Sequence, residues 1–344
     1  MLRVLGIEST AHTIGVGVAI DSSPYIIANE RSIYTPKSGG IHPRESSRFL
    51  AENAPLILER ALRVAGVGLE NIDAIAVALG PGLGPSLRVG TTLARALSIY
   101  YGKPLVPVNH AVAHIEIGLI TTGAMDPVVV YLSGGNTAII AHHSGRYRVF
   151  GETLDIALGN LLDTFARESG LGPPYVVEGV HVVDRCAEKG SSIVEGMPYI
   201  VKGQDLSFAG LLTASLRALK RGETIEDICY TLREIAYSMV VEVTERCVSH
   251  TRKREILVVG GVAASPYLRE KMEWAARHHR AELYIVPPEY AGDNGAMIAW
   301  TGLLAFRSGV SIDVSESYIR PRWRVDEVDT PWRIQWRSTG GQRL

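Results

Sequence analysis

The apolar positions of this chain fall into short alternating runs and longer runs of helical period. Residues 2–20, LRVLGIESTAHTIGVGVAI, read as strand, polar turn and strand, a β-hairpin whose second arm alternates small residues. Further along, DPVVVYLSGGNTAIIAHHSGRYRVF repeats the plan: an apolar strand, a Ser133-Gly134-Gly135-Asn136-Thr137 turn, a second apolar strand and a third strand. Two copies of one plan predict an internal duplication.

Between the hairpins, residues 34–45 read as loop and residues 46–65 as helix, which Pro55 should kink or divide. Its apolar positions, Phe49, Leu50, Leu56, Ile57, Leu58, Ala61 and Leu62, cover more than one face, so a buried helix is expected. IDAIAVALGPGLGPSLRVG is a buried strand running into a glycine- and proline-rich turn, then a helix from near Ser86. It lacks Gly-Lys-Ser/Thr, so it is no Walker A loop. PLVPVNH is a short strand that delivers His110 to the start of the next helix.

After the second hairpin, GETLDIALGNLLDTFARESGL reads as a helix with Asp155, Asn160 and Asp163 on its polar positions, opening a mostly helical insertion. CYTLREIAYSMVVEVTERCVSHT is a long amphipathic helix, followed by EILVVGGVAASPYLREKMEWAARHH, a strand, a Gly-Gly turn and a helix. Such a turn is a place for a nucleotide base or sugar to lie against backbone. ELYIVPPEYAGDNGAMIAWTGLLAF gives a last strand, a turn with Asp293 and a closing helix. From Ser317 onward no period is visible, and the last ten residues or so are expected to be loosely ordered.

Length adds that 344 residues exceed one ordinary core, so two domains are expected. With 46% hydrophobic and 21% charged residues, a large core can form. The net charge of −1 supplies no basic field, so a nucleic-acid partner would need local patches or another subunit. Candidate patches are Arg252, Lys253 and Arg254; Arg277 and Arg280; and Arg320, Arg322 and Arg324. Cys186, Cys229 and Cys247 are odd in number without CxxC spacing, which points to buried, reduced thiols. The chain starts without a signal pattern and has no apolar run long enough to span a bilayer, so a soluble cytoplasmic protein without membrane contact is expected.

The candidate chemistry centres on NHAVAHIE, residues 109–116, where His110 and His114 stand one helical turn apart on one face. Two imidazoles so placed fit a borderline transition metal with a third ligand from elsewhere, although a bare pair at this spacing is more often two surface or capping histidines. Asp293, set among glycines before an apolar helix, is the candidate third ligand. Ala111 stands where a zincin peptidase needs its general-base glutamate, which argues against peptide hydrolysis. The first hairpin turn, Glu8 to His12, could face phosphate, as could the Gly134-Gly135 turn, where no Cβ obstructs the backbone. Tyr131 alternates onto the same side as Ser133.

Two copies of hairpin-plus-αβ with glycine turns resemble an α/β, duplicated actin-like, Hsp70-like and sugar-kinase-like ATPase fold, with two domains and a nucleotide cleft. The expected lobes are residues 1–124 with about 295–325, and residues 125–294, followed by a tail at 326–344. GGIHPRE, GPGLGPSLRVG, HAVAHIE, YLSGGNT, GETLDIALGN, DLSFAGLL and GDNGAMIAW resemble the motifs of the tRNA threonylcarbamoyladenosine transferases. The similarity is to the archaeal and eukaryotic branch, the catalytic subunit of the KEOPS complex, and covers roughly residues 3–325.

That resemblance implies one iron or zinc ion on His110, His114 and Asp293, with Tyr131 as a further ligand. It implies a nucleotide, ATP, AMP or threonylcarbamoyl-AMP, against Ser133, Gly134, Gly135 and Asn136. Gly159, Asp163, Glu178, Gly179, Gly260 and Gly261 would also touch it. Ser265 replaces a family asparagine that contacts nucleotide, and Tyr267 stands where an arginine is common. The implied reaction transfers threonylcarbamoyl from threonylcarbamoyl-AMP to N6 of adenosine 37 in tRNAs reading codons that begin with A. Glu8 is a candidate to position substrate or accept the N6 proton. Implied partners are tRNA, a small atypical kinase, a small dimerising subunit and a kinase-binding regulator. An ATPase or an ATP-binding assembly subunit of the same fold is the alternative.

Overall fold

The computed structural model describes residues 1–36 and 40–333; the expectation of loose order for the last ten residues falls outside them. The chain divides into two compact units. The first holds Met1–Ile117, His143–Tyr147 and the segment from Asp293 on; the second holds Gly118–His142 and Arg148–Gly292.

In the first unit, β1 (Arg3–Glu8), β2 (Thr13–Ile20) and β3 (Ile26–Ile33) form an antiparallel meander. After α1 (Pro43–Ala65), β4 (Ala74–Gly80) pairs parallel with β1. α2 (Gly84–Tyr101) then leads to β5 (Leu105–Asn109), parallel to β4, and to α3 (His110–Thr122). The strand order is β3-β2-β1-β4-β5.

In the second unit, β6 (Val128–Leu132), β7 (Thr137–His143) and β8 (Arg146–Glu152) form the second meander. The insertion follows: α4 (Leu158–Glu168), a small hairpin of β9 (Val176–Val177) and β10 (Val180–His181), α5 (Val182–Ala187), a second hairpin of β11 (Val201–Lys202) and β12 (Asp205–Leu206), α6 (Ala209–Lys220) and α7 (Ile225–Thr251). β13 (Glu255–Val259) pairs parallel with β6, and after α8 (Pro266–His278) β14 (Glu282–Ile285) pairs parallel with β13. The order β8-β7-β6-β13-β14 repeats that of the first sheet, as the paired hairpins predict. After α9 (Pro288–Ala291) the chain returns to the first unit as α10 (Gly295–Arg307).

Strand alternation decides how the first sheet is covered. Leu5, Ile7, Val16 and Val18 pack with Leu50, Ala54 and Ile57 of α1. Gly6 and Gly17 face the other way, where a Cβ would stand 2.1 Å from the Ala299 nitrogen and 2.4 Å from the Ala296 nitrogen. Only glycine lets α10 lie so close to β1 and β2. The same contact fixes the entry of α10, the residue pair Asp293-Asn294.

Three expectations are corrected. α1 starts at Pro43 and runs past Pro55 unbroken, and it buries a single stripe: Ser46, Leu50, Ala54, Ile57 and Ala61, while Leu56 is 58% exposed. Phe49, Leu58 and Leu62 flank that stripe and pack half-buried against the core. Asp155 is not on a helix, because α4 begins only at Leu158. Cys186 of α5 and Cys229 of α7 form a disulfide, Cα atoms 5.9 Å apart, leaving Cys247 as a buried thiol. Spacing in sequence could not reveal that α5 packs along α7 and sets residues 43 apart side by side.

The described part of the tail is attached to the first unit. Thr330 donates its N–H and hydroxyl to the Gly145 carbonyl, and the Trp332 indole donates to Glu116 at 2.9 Å. No described helix is long and apolar enough to cross a membrane.

Candidate metal centre and nucleotide turns

Asn109 ends β5 and its carboxamide oxygen accepts the N–H groups of Ala111 and Val112 at 3.0 and 3.2 Å. It thereby caps α3, and the helix starts with His110 as its first residue. One turn on, His114 lies on the same face, the two rings 4.7 Å apart between centroids and 87° to each other. Asp293 comes from the turn before α10. Asn294 caps that helix by accepting the Met297 N–H, and Arg31 of β3 donates to the Asp293 carbonyl at 3.3 Å. His110 Nε2 and His114 Nε2 stand 3.4 and 3.3 Å from Asp293 Oδ1. One ligand atom from each residue lies within 4.8 Å of the others.

Glu8, at the end of β1, has no exposed surface. One carboxylate oxygen is 2.9 Å from His110 Nδ1, and the other accepts the Thr10 N–H at 2.6 Å. With an ion bound, a proton held on Nδ1 by Glu8 would leave the Nε2 lone pair for the ion, the carboxylate–histidine arrangement of metal sites. Burial alone would depress the His110 pKa, but the charges of Glu8 and Asp293 lift it to about 9. His114 goes the other way: burial lowers it, only partly opposed by Asp293. For Asp293, burial works against ionisation, yet the histidines hold its carboxyl below the usual range. Two imidazole nitrogens and a carboxylate converging from a capped helix and a clamped turn fit a borderline cation such as zinc or iron.

The other candidate residues lie in the second unit. The Ser133–Asn136 turn joins β6 to β7, and Ser133 Oγ accepts the N–H groups of Gly135 and Asn136 at 3.3 and 3.0 Å. Gly134 and Gly135 are exposed, and nothing lies within 4 Å of a Cβ added at either. Gly159, early in α4, donates to the Ser133 carbonyl, and a Cβ there would be 2.7 Å from that oxygen. Gly260, at φ 93, abuts the Leu132 carbonyl, so the turn after β13 sits beside the end of β6. Tyr131 is buried at that end of β6, paired with Ala138 and Val259.

Asp163 is 3.1 Å from His181 Nε2, and His181 Nδ1 accepts the Val183 N–H to cap α5. This ties α4 to the small hairpin, whose turn residues Glu178 and Gly179 both have positive φ, 51 and 79. That is the conformation of a two-residue hairpin turn. Gly261 is open, and Ser265 caps α8 by accepting the Leu268 N–H. The Ser265 hydroxyl also reaches Asp184, which accepts from Tyr237 at 2.9 Å; burial still pushes the Asp184 pKa up.

The model of the family described as "TsaD: tRNA N6-adenosine threonylcarbamoyltransferase" matches residues 25–300. The chain belongs to that family. A tRNA N6-adenosine threonylcarbamoyltransferase of Saccharolobus islandicus is 59% identical over 332 residues, 96% of this chain and 100% of the relative. One from Aeropyrum pernix is 60% identical over 329 residues, 96% of this chain and 94% of the relative. Among solved structures, T.kodakarensis HypF aligns with a TM-score of 0.60 at 14% identity, over 88% of this chain and 47% of that one. The activator of 2-hydroxyisocaproyl-CoA dehydratase from Clostridium difficile aligns at 0.52 and 13% identity, over 90% and 97%. These likenesses concern the fold, which is the duplicated actin-like, Hsp70-like and sugar-kinase-like one.

Within this TsaD chain, sequence reasoning missed Asn109, Thr10, Arg31 and Asn294, which hold the metal-type group in place. Asn immediately before His110 was a visible capping signal. The contact of Arg31 with the turn 262 residues later had no sequence signal.

Proposed function

We propose that the chain transfers a threonylcarbamoyl group from threonylcarbamoyl-AMP to N6 of adenosine 37 in tRNAs that read codons beginning with A. The observation that carries this reading is the convergence of His110, His114 and Asp293 in a member of the threonylcarbamoyltransferase family. His110, His114 and Asp293 would hold the ion, iron or zinc, and Tyr131 is the proposed further ligand. When bound, such an ion supplies Lewis acidity toward a carbonyl oxygen.

In the reaction, the N6–C bond forms, the bond from the carbamoyl carbon to the phosphate oxygen breaks, AMP leaves, and N6 loses a proton. Glu8 acts by orienting His110, since both of its carboxylate oxygens are already engaged and the group is fully buried. The nucleotide part is proposed to lie on the second unit, against Ser133, Gly134, Gly135 and Asn136. Gly159 supports that turn from below, and Asp163, Glu178, Gly179, Gly260, Gly261 and Ser265 complete the contact set. Ser133 Oγ now takes the Gly135 and Asn136 N–H groups, so an incoming phosphate must compete for them or use the Gly134 N–H. The two units are the proposed lobes.

With a net charge of −1, the chain is proposed to depend on partner subunits for much of its tRNA affinity: an atypical kinase, a dimerising subunit and a regulator of a cytoplasmic complex. The test is transfer of labelled threonine from threonylcarbamoyl-AMP to an ANN-decoding tRNA transcript with those partners present. Product with wild type, and a loss of at least about a hundredfold with His110→Ala, is expected. Equal product from both proteins would remove the metal centre from the mechanism.

A further inference from the structure

Of the three basic clusters in the sequence, the structure sets one apart. In the first, Lys253 is bound to Asp126 and Arg254 donates to the His279 carbonyl. In the second, exposed Arg277 near the end of α8 and exposed Arg280 just past it lie on the element that also exposes Glu270 and Glu273. The nearby groove between α7 and α8, about 570 Å³, is lined by Glu242 and Glu245 as well as by Arg246 and histidines. Neither surface is one-signed.

The third cluster is built differently. Residues 319–325 lie along the first unit, fixed at three points: Arg320 N–H to the Leu79 carbonyl, Gly82 N–H to the Pro321 carbonyl, and the Asn109 carboxamide to the Trp323 carbonyl. A turn closed by the Trp323 N–H on the Arg320 carbonyl buries Trp323 and leaves Arg320, Pro321 and Arg322 exposed at its tip, with Arg324 exposed just beyond and Val325 buried. Arg320, Pro321, Arg322, Trp323 and Glu327 line a groove of about 510 Å³. Its acids are engaged with Arg324: Asp326 by ion pair at 3.1 Å and Glu327 by accepting the Arg324 N–H. Arg320 lies over the Trp323 ring at 4.8 Å, and neither it nor Arg322 has an acidic partner among the described residues. Tyr318, 69% exposed, extends the same segment with an open aromatic ring.

We propose that this arginine segment is a docking surface for the tRNA phosphate backbone. The inference rests on the tRNA reading above and adds where on the chain the RNA is held. Asn109 connects the two: its amide hydrogen-bonds the arginine segment while its carbonyl caps the helix that begins at His110. RNA held on Arg320 and Arg322 is therefore registered, through one side chain, to the helix of the metal ligands. Guanidinium groups suit phosphate, and their contribution must weaken with salt.

The test is binding of a tRNA transcript to the full chain across a salt series from about 25 mM upward. Arg320→Gln/Arg322→Gln is compared with Arg277→Gln/Arg280→Gln, with melting temperature and metal content as controls of folding. The first double variant is expected to bind about tenfold more weakly and to lower the log–log salt slope by about one per arginine, the second to match wild type. Unchanged affinity and slope in the first, or an equal loss in both, would overturn the inference. So would loss of polyglutamate binding with tRNA binding intact, which would assign the surface to an acidic protein. Failure of wild type to bind even at the lowest salt would overturn it as well. The transfer reaction with partner subunits would still stand as the separate test of function.

Discussion

Glu8 ends β1 and His110 opens α3, 102 positions apart in sequence, and they meet at 2.9 Å in the interior. A carboxylate that orients a ligand histidine typically changes metal affinity 10- to 100-fold when removed. Glu8→Gln is therefore expected to weaken zinc or iron binding by about that factor, read by chelator competition. A variant that bound metal as wild type does would return Glu8 to a direct part in the chemistry. The one-turn spacing of His110 and His114 was legible, because four-residue spacing and a helix start are local properties. The supports of the pair were legible only in part: the hairpin that carries Glu8 and Thr10 was readable, but that Glu8 meets His110 and that Arg31 of β3 reaches the turn before α10 rest on long-range packing that no local pattern encodes.

At the level of elements, the strands and most helices were readable from period alone, and the misreadings share a cause. Pro55 was expected to kink or divide α1; the helix is not divided, because the missing N–H is tolerated in a helix held by a long buried stripe. Asp155 looked helical by position, yet it accepts the N–H groups of Ile156, Phe208 and Ala209 and the Ser207 hydroxyl, pinning the start of α6. Slight burial opposes ionisation there, but those donors together hold its pKa below the ordinary carboxylate value. A carboxylate depressed in the folded state contributes stability above its unfolded pKa and loses it as pH falls. Asp155→Asn is accordingly expected to flatten the loss of stability between about pH 5 and pH 3, followed by urea denaturation. An unchanged acid limb would show that the pin carries no linkage.

The Cys186–Cys229 disulfide closes a loop of 43 residues in separation, for which chain entropy gives about 4 kcal/mol. Cys186→Ser/Cys229→Ser, or reductant with the wild-type chain, should lower the melting temperature, while Cys247→Ser should leave the response to reductant intact. A melting temperature indifferent to reductant would mean the two sulfurs contribute only as buried groups. Because α5 also carries Asp184, the partner of Tyr237 and Ser265, loosening this staple would be felt next to the turn that starts α8.

Across the whole molecule, one strand order appears twice, and the candidate chemistry is divided between the copies. The first sheet ends in Glu8 and feeds His110; the second ends in Tyr131 and opens into bare glycines. A weak net charge and a short, defined arginine segment suit a protein that holds RNA locally and relies on an assembly for the rest. The equivalence of β1–β2 and β6–β7 also means that one corner of the plan does two different jobs. The turn from Glu8 to His12 and the turn from Ser133 to Asn136 occupy the same place in the two copies. The first sets a buried acid against His110, while the second leaves the backbone of two exposed glycines open.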